Sequence, residues 1–411
     1  MRDPARRVVI TGAGICANLG DDARQIRDAL RTGQGGPFVP YPPAIESGCR
    51  CQIIGLYPGD VDDRALGIRK AAGRFHGRAS RLALKAAQAA LAQSGASTGG
   101  MAVVVGSGTG DVDAHHVIAD KLAMGDATRV SPTVVPRIMA STVSANLVNV
   151  LRTTGPSFSA SAACAGGAYN LLLAAELIES GHCDRALAGG CEVADIHFYA
   201  GFDAMRAYNG TDNDHPERAS RPYAADRAGF VFGEGAGIVV LETRAEAQAR
   251  GATILAELAG WGMSSDGDGE MVSPSSDGAR DAMRRALKHA GRRPDEIDYV
   301  NTHGTSTPLG DVSEVSALRQ LFPDRPVAYS STKGYTGHTV SGAGAIEAIF
   351  TAMMLEGGFI APSINADPLD PALEDYPPVR DPTERPLRVA MSNSFGFGGT
   401  NVSLILEHTS D

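Results

Sequence analysis

The sequence is poor in long apolar runs and in positive charge. No stretch of its 411 residues approaches the roughly 20 consecutive apolar residues of a membrane-spanning helix, so we expect no membrane insertion. Lys and Arg number 37 against 47 Asp and Glu, and the resulting charge of −10 argues against a nucleic-acid partner. The basic N-terminus is followed by an apolar run at residues 8–10, which is too short for a signal peptide. We therefore expect a cytoplasmic, globular protein.

Cysteine is scarce, and its spacing excludes the usual zinc and disulfide patterns. None of the six cysteines belongs to a Cys-x-x-Cys pair, and Cys49 and Cys51 lie too close together for a zinc clip without nearby partners. A cytosolic chain of this length does not need disulfides. A lone cysteine is usually a small buried hydrophobe, and only Cys164 has a setting that favours a chemical role.

What the sequence does contain is an alternation of short strands and helices. Apolar, β-branched runs end in glycine or threonine turns, which predicts sheets covered on both faces. Helical stretches at 80–93, 278–290 and 343–355 separate these runs, and 165–180 is apolar on nearly all sides, as expected of a central buried helix. The alternation predicts an α/β fold.

The chain shows no proline-rich or charged linker, which favours two closely joined halves over separate domains. The seam is placed in the Ala- and Arg-rich stretch at 246–251. We predict an N-terminal half, residues 1–250, and a C-terminal half, residues 251–411. No sequence repeat is visible, so the internal pseudo-symmetry of the two halves is inferred from their joining without a linker.

Cys164 lies in a run of small residues, 159–168, where a strand-like segment meets the apolar helix. This pattern is typical of a nucleophile elbow, a tight turn that presents a reactive side chain at the start of a helix. Unpaired amide groups and the positive end of the helix dipole favour a thiolate, so we expect a pKa below the free value of about 8.5. The competing interpretation is a packed core cysteine.

Two histidines follow apolar strands, His303 in the segment 301–311 and His338 in the segment 331–338. A further glycine-rich loop, 392–401, lacks the Gly-Lys-Ser/Thr ending of a phosphate loop. One cysteine with two such histidines indicates thiol catalysis. A cysteine hydrolase needs only one histidine with an orienting group, whereas two neutral imidazoles can donate hydrogen bonds to a thioester oxyanion; the residues alone leave this choice open. We expect no function from the remaining histidines, at positions 76, 115, 116, 182, 197, 215, 289 and 408.

The motifs of these segments resemble those of the β-ketoacyl–acyl carrier protein synthases, which are thiolase-like condensing enzymes. They read His-Gly-Thr-Ser-Thr-Pro-x-Gly-Asp from His303, Lys-x-x-x-Gly-His from Lys333, and Asn-Ser-Phe-Gly-Phe-Gly-Gly-Thr-Asn from Asn393. The similarity covers essentially the whole chain, and the stretches 139–145 and 358–365 look most like synthase type I. It implies a duplicated α/β fold in α-β-α-β-α layers, two halves with a five-stranded sheet each, and a homodimer formed through the N-terminal half.

The resemblance implies a role for each matching residue. Cys164 accepts an acyl chain as a thioester, and the carbanion formed by decarboxylation of malonyl-carrier protein attacks it. His303 and His338 stabilise the malonyl enolate, and Lys333 supports them. The backbone amides of Cys164 and Phe397 form an oxyanion hole, and Phe397 is also the gate. Further assignments are pantetheine contacts by Thr305 and Thr307, structural acids at Asp311, Glu314 and Glu347, and a monovalent cation site near Asn301, Glu347, Ser392 and Asn393.

The partner implied by the resemblance is an acyl carrier protein. It brings its own 4'-phosphopantetheine arm, so we expect no resident cofactor and no catalytic metal. Because carrier proteins are acidic, docking on an acidic enzyme requires a local basic patch. The candidates are Arg69, Lys70, Arg74 and Arg129, with Arg64, Arg78 and Lys121 in the wider set.

Three places depart from the family pattern. Thr109 stands where relatives carry glycine or isoleucine in the acyl pocket, to which Phe395 is also assigned. Gly166 and Gly167 replace two hydroxyl residues, a change expected to reshape the cavity floor, and Ala228 replaces an aspartate. Fatty-acid elongation is the leading interpretation, and these departures keep a ketosynthase of a specialised polyketide, aryl polyene or unusual-lipid pathway as the alternative.

Two other classes are disfavoured. A non-catalytic partner subunit of a ketosynthase typically lacks the cysteine that this chain retains at position 164. A plain thiolase uses a second, C-terminal cysteine, and no cysteine follows Cys191 here.

Overall fold

The computed structural model describes residues 3–267, 271, 272 and 274–409. Its strands are β1 (Val8–Cys16), β2 (Val39–Pro40), β3 (Ile53–Ile54), β4 (Ala102–Ser107), β5 (Ser157–Phe158), β6 (Arg185–Glu192), β7 (Gly235–Thr243), β8 (Ala256–Ser265), β9 (Tyr299–Asn301), β10 (Ala328–Ser330), β11 (Phe359–Ile360), β12 (Thr383–Glu384), β13 (Val389–Gly396) and β14 (Thr400–Glu407). Its α-helices are α1 (Ala23–Thr32), α2 (Pro42–Glu46), α3 (Lys70–Gly73), α4 (Arg78–Ser94), α5 (Val112–Ala123), α6 (Val134–Ile138), α7 (Thr142–Leu151), α8 (Gly166–Glu179), α9 (Ile196–Ala204), α10 (Arg244–Ala249), α11 (Ser276–Ala290), α12 (Pro308–Leu321), α13 (Lys333–Thr336) and α14 (Ala343–Gly357). The predicted α/β class is confirmed.

The main sheet has the strand order β10-β9-β13-β14-β8-β1-β7-β6-β4-β5. From its middle outward, each half repeats the same succession of pairings, two antiparallel and then two parallel. This repeat is the pseudo-symmetry that the sequence does not show as a repeat. The two five-stranded sheets are not separate, however, because β1 and β8 pair at Val9↔Glu257 and Ile10↔Ala256 and join them edge to edge.

The apolar core is arranged in layers around α8 and α14. The largest buried cluster contains both helices and lies between the two halves of the sheet. A second cluster packs α4 and α7 on the outer face of the N-terminal half, and a third packs α11 and α12 on the outer face of the C-terminal half. The expected α-β-α-β-α succession follows, with α8 in the central layer as its all-round apolar surface predicts.

Glycines set the close approach of the two central segments. A Cβ on Gly166 would lie 2.4 Å from Ser341 Oγ, and one on Gly167 would lie 2.9 Å from the backbone nitrogen of Ala345. Both glycines therefore face the start of α14. The expectation that they reshape the cavity floor is wrong, because their missing side chains leave room for a neighbouring backbone instead.

The topology brings the four glycine-rich segments to one place. The segments that follow β5, β9 and β10 carry Cys164, His303 and His338, and the turn between β13 and β14 carries Phe397. β9, β10 and β13 run parallel, which places the loops at their carboxyl ends along one edge of the C-terminal half. Cys164 reaches this edge from the other half, because the turn before α8 packs against Gly396 and Thr400. Among the described residues, no helix combines the length and the apolar character needed to cross a membrane.

Candidate active site

A cavity of about 430 Å³ contains the motif residues. Its walls include Cys164, His303, His338, Phe395 and Phe397. Much of the remaining lining is apolar, so the cavity suits an apolar chain that ends at a few polar groups. The other lining residues include Phe202, Met205, Phe230, Met271, Val272, Thr305, Thr307, Leu309 and Asn401.

Cys164 sits in a turn between β5 and α8. A single 3-10 turn, Ala163–Ala165, precedes the helix, and Ala163 has a φ of 45°, in the left-handed region that residues with a Cβ seldom adopt. Cys164 is only 5% exposed, and the backbone N–H groups of Phe397 and of Cys164 itself lie close enough to its sulfur to favour a thiolate. A Cβ on Gly396 would lie 3.2 Å from the Cys164 nitrogen, so glycine there keeps these amides open.

Burial controls the protonation of Cys164. Desolvation raises the pKa of the thiol to about 12, although the Lys333 ammonium and the two amides pull it down in part. The expected lowering of this pKa is therefore wrong, because the cost of a buried thiolate outweighs the favourable groups at the helix start. The resting side chain is a thiol, and its proton must leave when the sulfur is acylated.

The two histidines stand edge to face, with ring centroids 5.3 Å apart. Lys333 Nζ lies 3.4 Å from His303 Nδ1, and since an ammonium only donates, Nδ1 accepts and Nε2 carries the proton. Burial, reinforced by the Lys333 charge, lowers the pKa of both histidines well below its usual value. Both rings are thus neutral and can donate a hydrogen bond. Neither nitrogen of His338 has a hydrogen-bond partner in the described part of the chain.

Buried acids hold this arrangement in place. Lys333 Nζ lies 2.5 Å from Glu347 Oε1, and the two side chains are 1% and 3% exposed. Glu314 accepts from the backbone N–H groups of His303 and Gly304, which fixes the loop that presents the imidazole. Burial raises the pKa of Glu347 above its usual value even though Lys333 opposes the shift.

Asp311 has a different partner from the other two acids. It pairs with Arg227 at 3.2 Å and accepts from the backbone N–H groups of Tyr223 and Ser306. Burial raises the pKa of Asp311 to about 6 despite the neighbouring guanidinium. Arg227 thereby ties the loop that contains Ala228 to the start of α12; nothing in the structure explains the alanine at position 228.

The predicted pantetheine and acyl-pocket residues divide into two groups. Thr305 and Thr307 line the cavity, with their hydroxyl oxygens 3.0 Å apart, and Phe395 lines it as well. Thr109 is not among the lining residues that the structure describes. Its hydroxyl instead donates a hydrogen bond to Glu192 Oε1 at 3.0 Å. Glu192 is buried, and burial raises the pKa of its carboxyl to about 7.

The four residues of the predicted cation site are buried close together. Ser392 pairs with Asn301 across β9 and β13, and Asn301 donates to the backbone oxygen of Glu347. Glu347 Oε2 has no hydrogen-bond partner over the described residues, and such oxygen donors suit a hard cation. The fourth residue, Asn393, donates a hydrogen bond to Glu314 and accepts one from Ser403. A cation here would neutralise buried carboxylate charge, and the site stays a prediction.

The basic docking candidates do not form one cluster around a single element. Arg69, Lys70 and Arg74 are exposed on and around the short helix α3. Arg129 lies in the segment between α5 and α6 and pairs with Asp126 at 3.5 Å. Arg78 pairs with the buried Glu234 at 2.6 Å, which makes it a structural residue of the fold.

Two aromatic residues of the cavity wall were not predicted from the sequence. Phe202 on α9 packs against Phe397, with ring centroids 6.1 Å apart, and Phe230 stands edge-on to His338 at 5.1 Å. Neither belongs to the segments 159–168, 301–311, 331–338 or 392–401, which the sequence singled out. The only signal in the sequence is that α9 is apolar on most sides, which does not distinguish a cavity wall from a packed core.

Comparisons with known proteins agree with this geometry. A family model described as Beta-ketoacyl synthase, N-terminal domain, matches residues 5–247, and its C-terminal counterpart matches residues 255–367. The 3-oxoacyl-(acyl-carrier-protein) synthase 1 of Escherichia coli strain K12 is 41% identical over 414 residues, covering 99% of this chain and 100% of that protein. The protein of the same description from Haemophilus influenzae is 40% identical over 412 residues, with 98% and 99% covered. The crystal structure of a β-ketoacyl synthase from Burkholderia phymatum STM815 matches with a TM-score of 0.93 at 35% identity, covering all of both chains.

Proposed function

The chain belongs to the β-ketoacyl synthase family of condensing acyltransferases, and we propose that it lengthens carrier-bound acyl chains by two carbons through a decarboxylative Claisen condensation on Cys164. The observation that carries the proposal is the meeting of one buried thiol, two neutral imidazoles and two backbone amides beside the thiol at one cavity. A cysteine hydrolase would need only one of the two histidines.

The first half-reaction transfers the acyl chain to the enzyme. The Cys164 sulfur attacks the thioester carbonyl of the acyl-carrier protein, and the oxyanion that forms accepts from the amides of Cys164 and Phe397. The bond to the pantetheine sulfur then breaks, and the proton of the Cys164 thiol ends on the departing pantetheine thiol. Because the thiol starts protonated, this proton transfer is part of the step.

The second half-reaction forms the carbon–carbon bond. The malonyl thioester oxygen accepts hydrogen bonds from His303 Nε2 and His338, and carbon dioxide leaves to give an enolate held by these donors. The enolate carbon attacks the acyl carbonyl on Cys164, the carbon–sulfur bond breaks, and the released thiolate takes one proton from water, which the overall condensation consumes. The product is a β-ketoacyl chain on the carrier protein. Neutral imidazoles suit this role, because they donate to the developing charge without adding a proton to the carbanion.

Replacement of the nucleophile tests the proposal directly. Cys164→Ala should abolish the acyl-enzyme detected by intact-protein mass spectrometry and reduce malonyl-dependent elongation by at least about 10³-fold. Cys183→Ala is the matched control, because it removes another buried thiol that lies outside the cavity. Undiminished elongation by Cys164→Ala would sink the mechanism. A panel of acyl-carrier substrates of varied length and unsaturation separates fatty-acid elongation from a specialised pathway.

The proposed substrate carrier is an acyl carrier protein, as the names of the curated relatives state for those enzymes. Its phosphopantetheine arm would enter past Thr305 and Thr307, so the proposal includes no resident cofactor. The exposed Arg69, Lys70 and Arg74 offer positive charge for docking. Reversal of all three to glutamate should raise KM for the carrier-bound substrate at least about tenfold with little change in kcat, and an unchanged KM would contradict this docking surface.

The proposed homodimer is supported by an open sheet edge. β5 is the last strand of the N-terminal half, and over the described residues it pairs only with β4. The segment that contains α5 and α6 also exposes three apolar side chains, those of Leu122, Met124 and Val135. A second copy would cover an edge that is otherwise prone to wrong pairing. Light scattering should give twice the chain mass of 42.6 kDa, and a monomer at micromolar concentration would contradict the dimer. The cytoplasmic location stays a prediction.

A further inference from the structure

Outside the catalytic cavity, two histidines and an aspartate converge where α5 meets the start of α9. His116 lies on α5, Asp195 caps α9, and His197 is the second residue of that helix. One ligand atom from each residue lies within 4.8 Å of the other two. The two helices follow β4 and β6, which are adjacent parallel strands, so the topology itself brings these loops together.

Two of the three ligand-atom separations are close to the edges of a tetrahedral metal site, and the third is within 4.8 Å. Asp195 Oδ1 lies 3.7 Å from His116 Nε2 and 3.2 Å from His197 Nδ1. Ligand atoms bound at about 2.0–2.2 Å from a central zinc ion stand roughly 3.3–3.6 Å apart in tetrahedral geometry. A single ion could therefore touch all three atoms after small side-chain adjustments.

The cluster is also incompletely satisfied without an ion. His116 Nε2 is shielded from solvent and has no hydrogen-bond partner among the described residues, and Asp195 is 7% exposed. A buried polar nitrogen without a partner loses its hydration and gains nothing in return. The two imidazole rings are stacked with centroids only 3.1 Å apart, closer than the optimum of about 3.5–4.0 Å for non-bonded carbons. Coordination would turn the ring nitrogens toward a shared point and separate the rings.

We propose that His116, Asp195 and His197 form a structural site for one divalent transition-metal ion of the zinc class. Two imidazoles and one carboxylate are donors that zinc, cobalt and nickel prefer, whereas calcium and magnesium prefer sites of oxygen atoms alone. A water molecule completes the coordination. The ion clips α5 to α9, the helix that carries the cavity residue Phe202. The proposal gives a role to the histidines at positions 116 and 197, for which the sequence predicted none.

The site is separate from the condensation chemistry. In the described part of the chain, none of its three residues lines the catalytic cavity. The proposal therefore does not depend on the proposed function, and metal binding tests it without an activity assay.

The experiment titrates full-length protein that has been treated with a chelator and desalted. Cobalt should give visible absorption bands of a tetrahedral complex that saturate at one ion per chain, and zinc should displace them. Excess zinc should raise Tm by about 3 °C, since an ion that binds only the folded chain stabilises it by mass action. His116→Ala and His197→Ala should each weaken binding at least about tenfold and remove the zinc-dependent rise in Tm.

His115→Ala is the matched control. It removes the neighbouring, exposed histidine on the same helix and should leave stoichiometry, affinity and the Tm shift unchanged. The Tm of each variant without metal shows whether it is folded. We expect both variants to fold, because the side chains of His116 and His197 are partly exposed. Absence of stoichiometric cobalt binding by the unaltered protein would overturn the proposal, as would binding that survives both cluster variants or is lost in His115→Ala.

Discussion

The catalytic cavity and the His116–Asp195–His197 cluster are built in opposite ways. The cavity gathers residues from glycine-rich motifs of both halves, and the Lys333–Glu347 pair next to His303 is buried. The cluster joins two helices of one half, lies partly exposed, and belongs to no motif. The buried site depends on the fold for its protonation states, whereas the peripheral site depends on little more than the meeting of α5 with the start of α9.

The largest difference between the regions should appear when a buried charge loses its partner. Lys333→Ala leaves the Glu347 carboxyl unpaired in the core, and we expect a loss of about 3–5 kcal/mol in unfolding free energy. His197→Ala should change the stability of the metal-free protein by no more than about 0.5 kcal/mol, because its side chain is 56% exposed. Urea denaturation measures the unfolding free energy of both variants. Equal losses would contradict the predicted difference between the two regions.

A smaller difference is expected from added volume in the two regions. In Gly344→Ala the new methyl group would lie 2.7 Å from Ser394 Oγ and 2.8 Å from Ala168 Cβ, so we expect a loss of about 1–3 kcal/mol. Gly201→Ala on α9 is the matched change, because a Cβ there meets nothing within 4 Å. It should stabilise the protein by about 0.5–1 kcal/mol through helix propensity. Thermal or urea unfolding measures the stability of both variants. A Gly344→Ala variant as stable as the unaltered protein would contradict the tight contact of α8 with α14.

The smallest expected effect is that of pH on the buried histidines. Since burial lowers the pKa of His303 and His338, both stay neutral as the pH falls through the ordinary histidine value of about 6.5. Single-turnover condensation of pre-acylated enzyme with malonyl-carrier protein should therefore change less than about twofold from pH 8 to pH 6. Activity should fall only at lower pH, where the imidazoles gain protons. A decline centred near pH 6.5 would show that the rings are not protected by burial.

The motif residues were the most predictable part of the molecule. Cys164, His303 and His338 each follow a strand and lie among glycine and other small residues, and such local patterns are visible in residue type and spacing. The central position of α8 also followed from its composition, because a helix that is apolar on all sides has to be covered on all sides. The role of Gly166 and Gly167 did not follow, since a missing side chain serves a cavity or a neighbouring backbone equally well until the neighbour is known.

The remaining features depend on distances that no linear pattern encodes. The sequence sufficed for the α/β class and for the family, because these rest on residue type and spacing. The protonation of Cys164 was decided by the depth of its burial, which reverses the effect expected from the helix start alone. The partner of Asp311, the position of Thr109 and the meeting of His116 with His197 were likewise decided in three dimensions. Solvation and charge–charge energies depend on which atoms are neighbours in space, and those neighbours come from segments far apart in the chain.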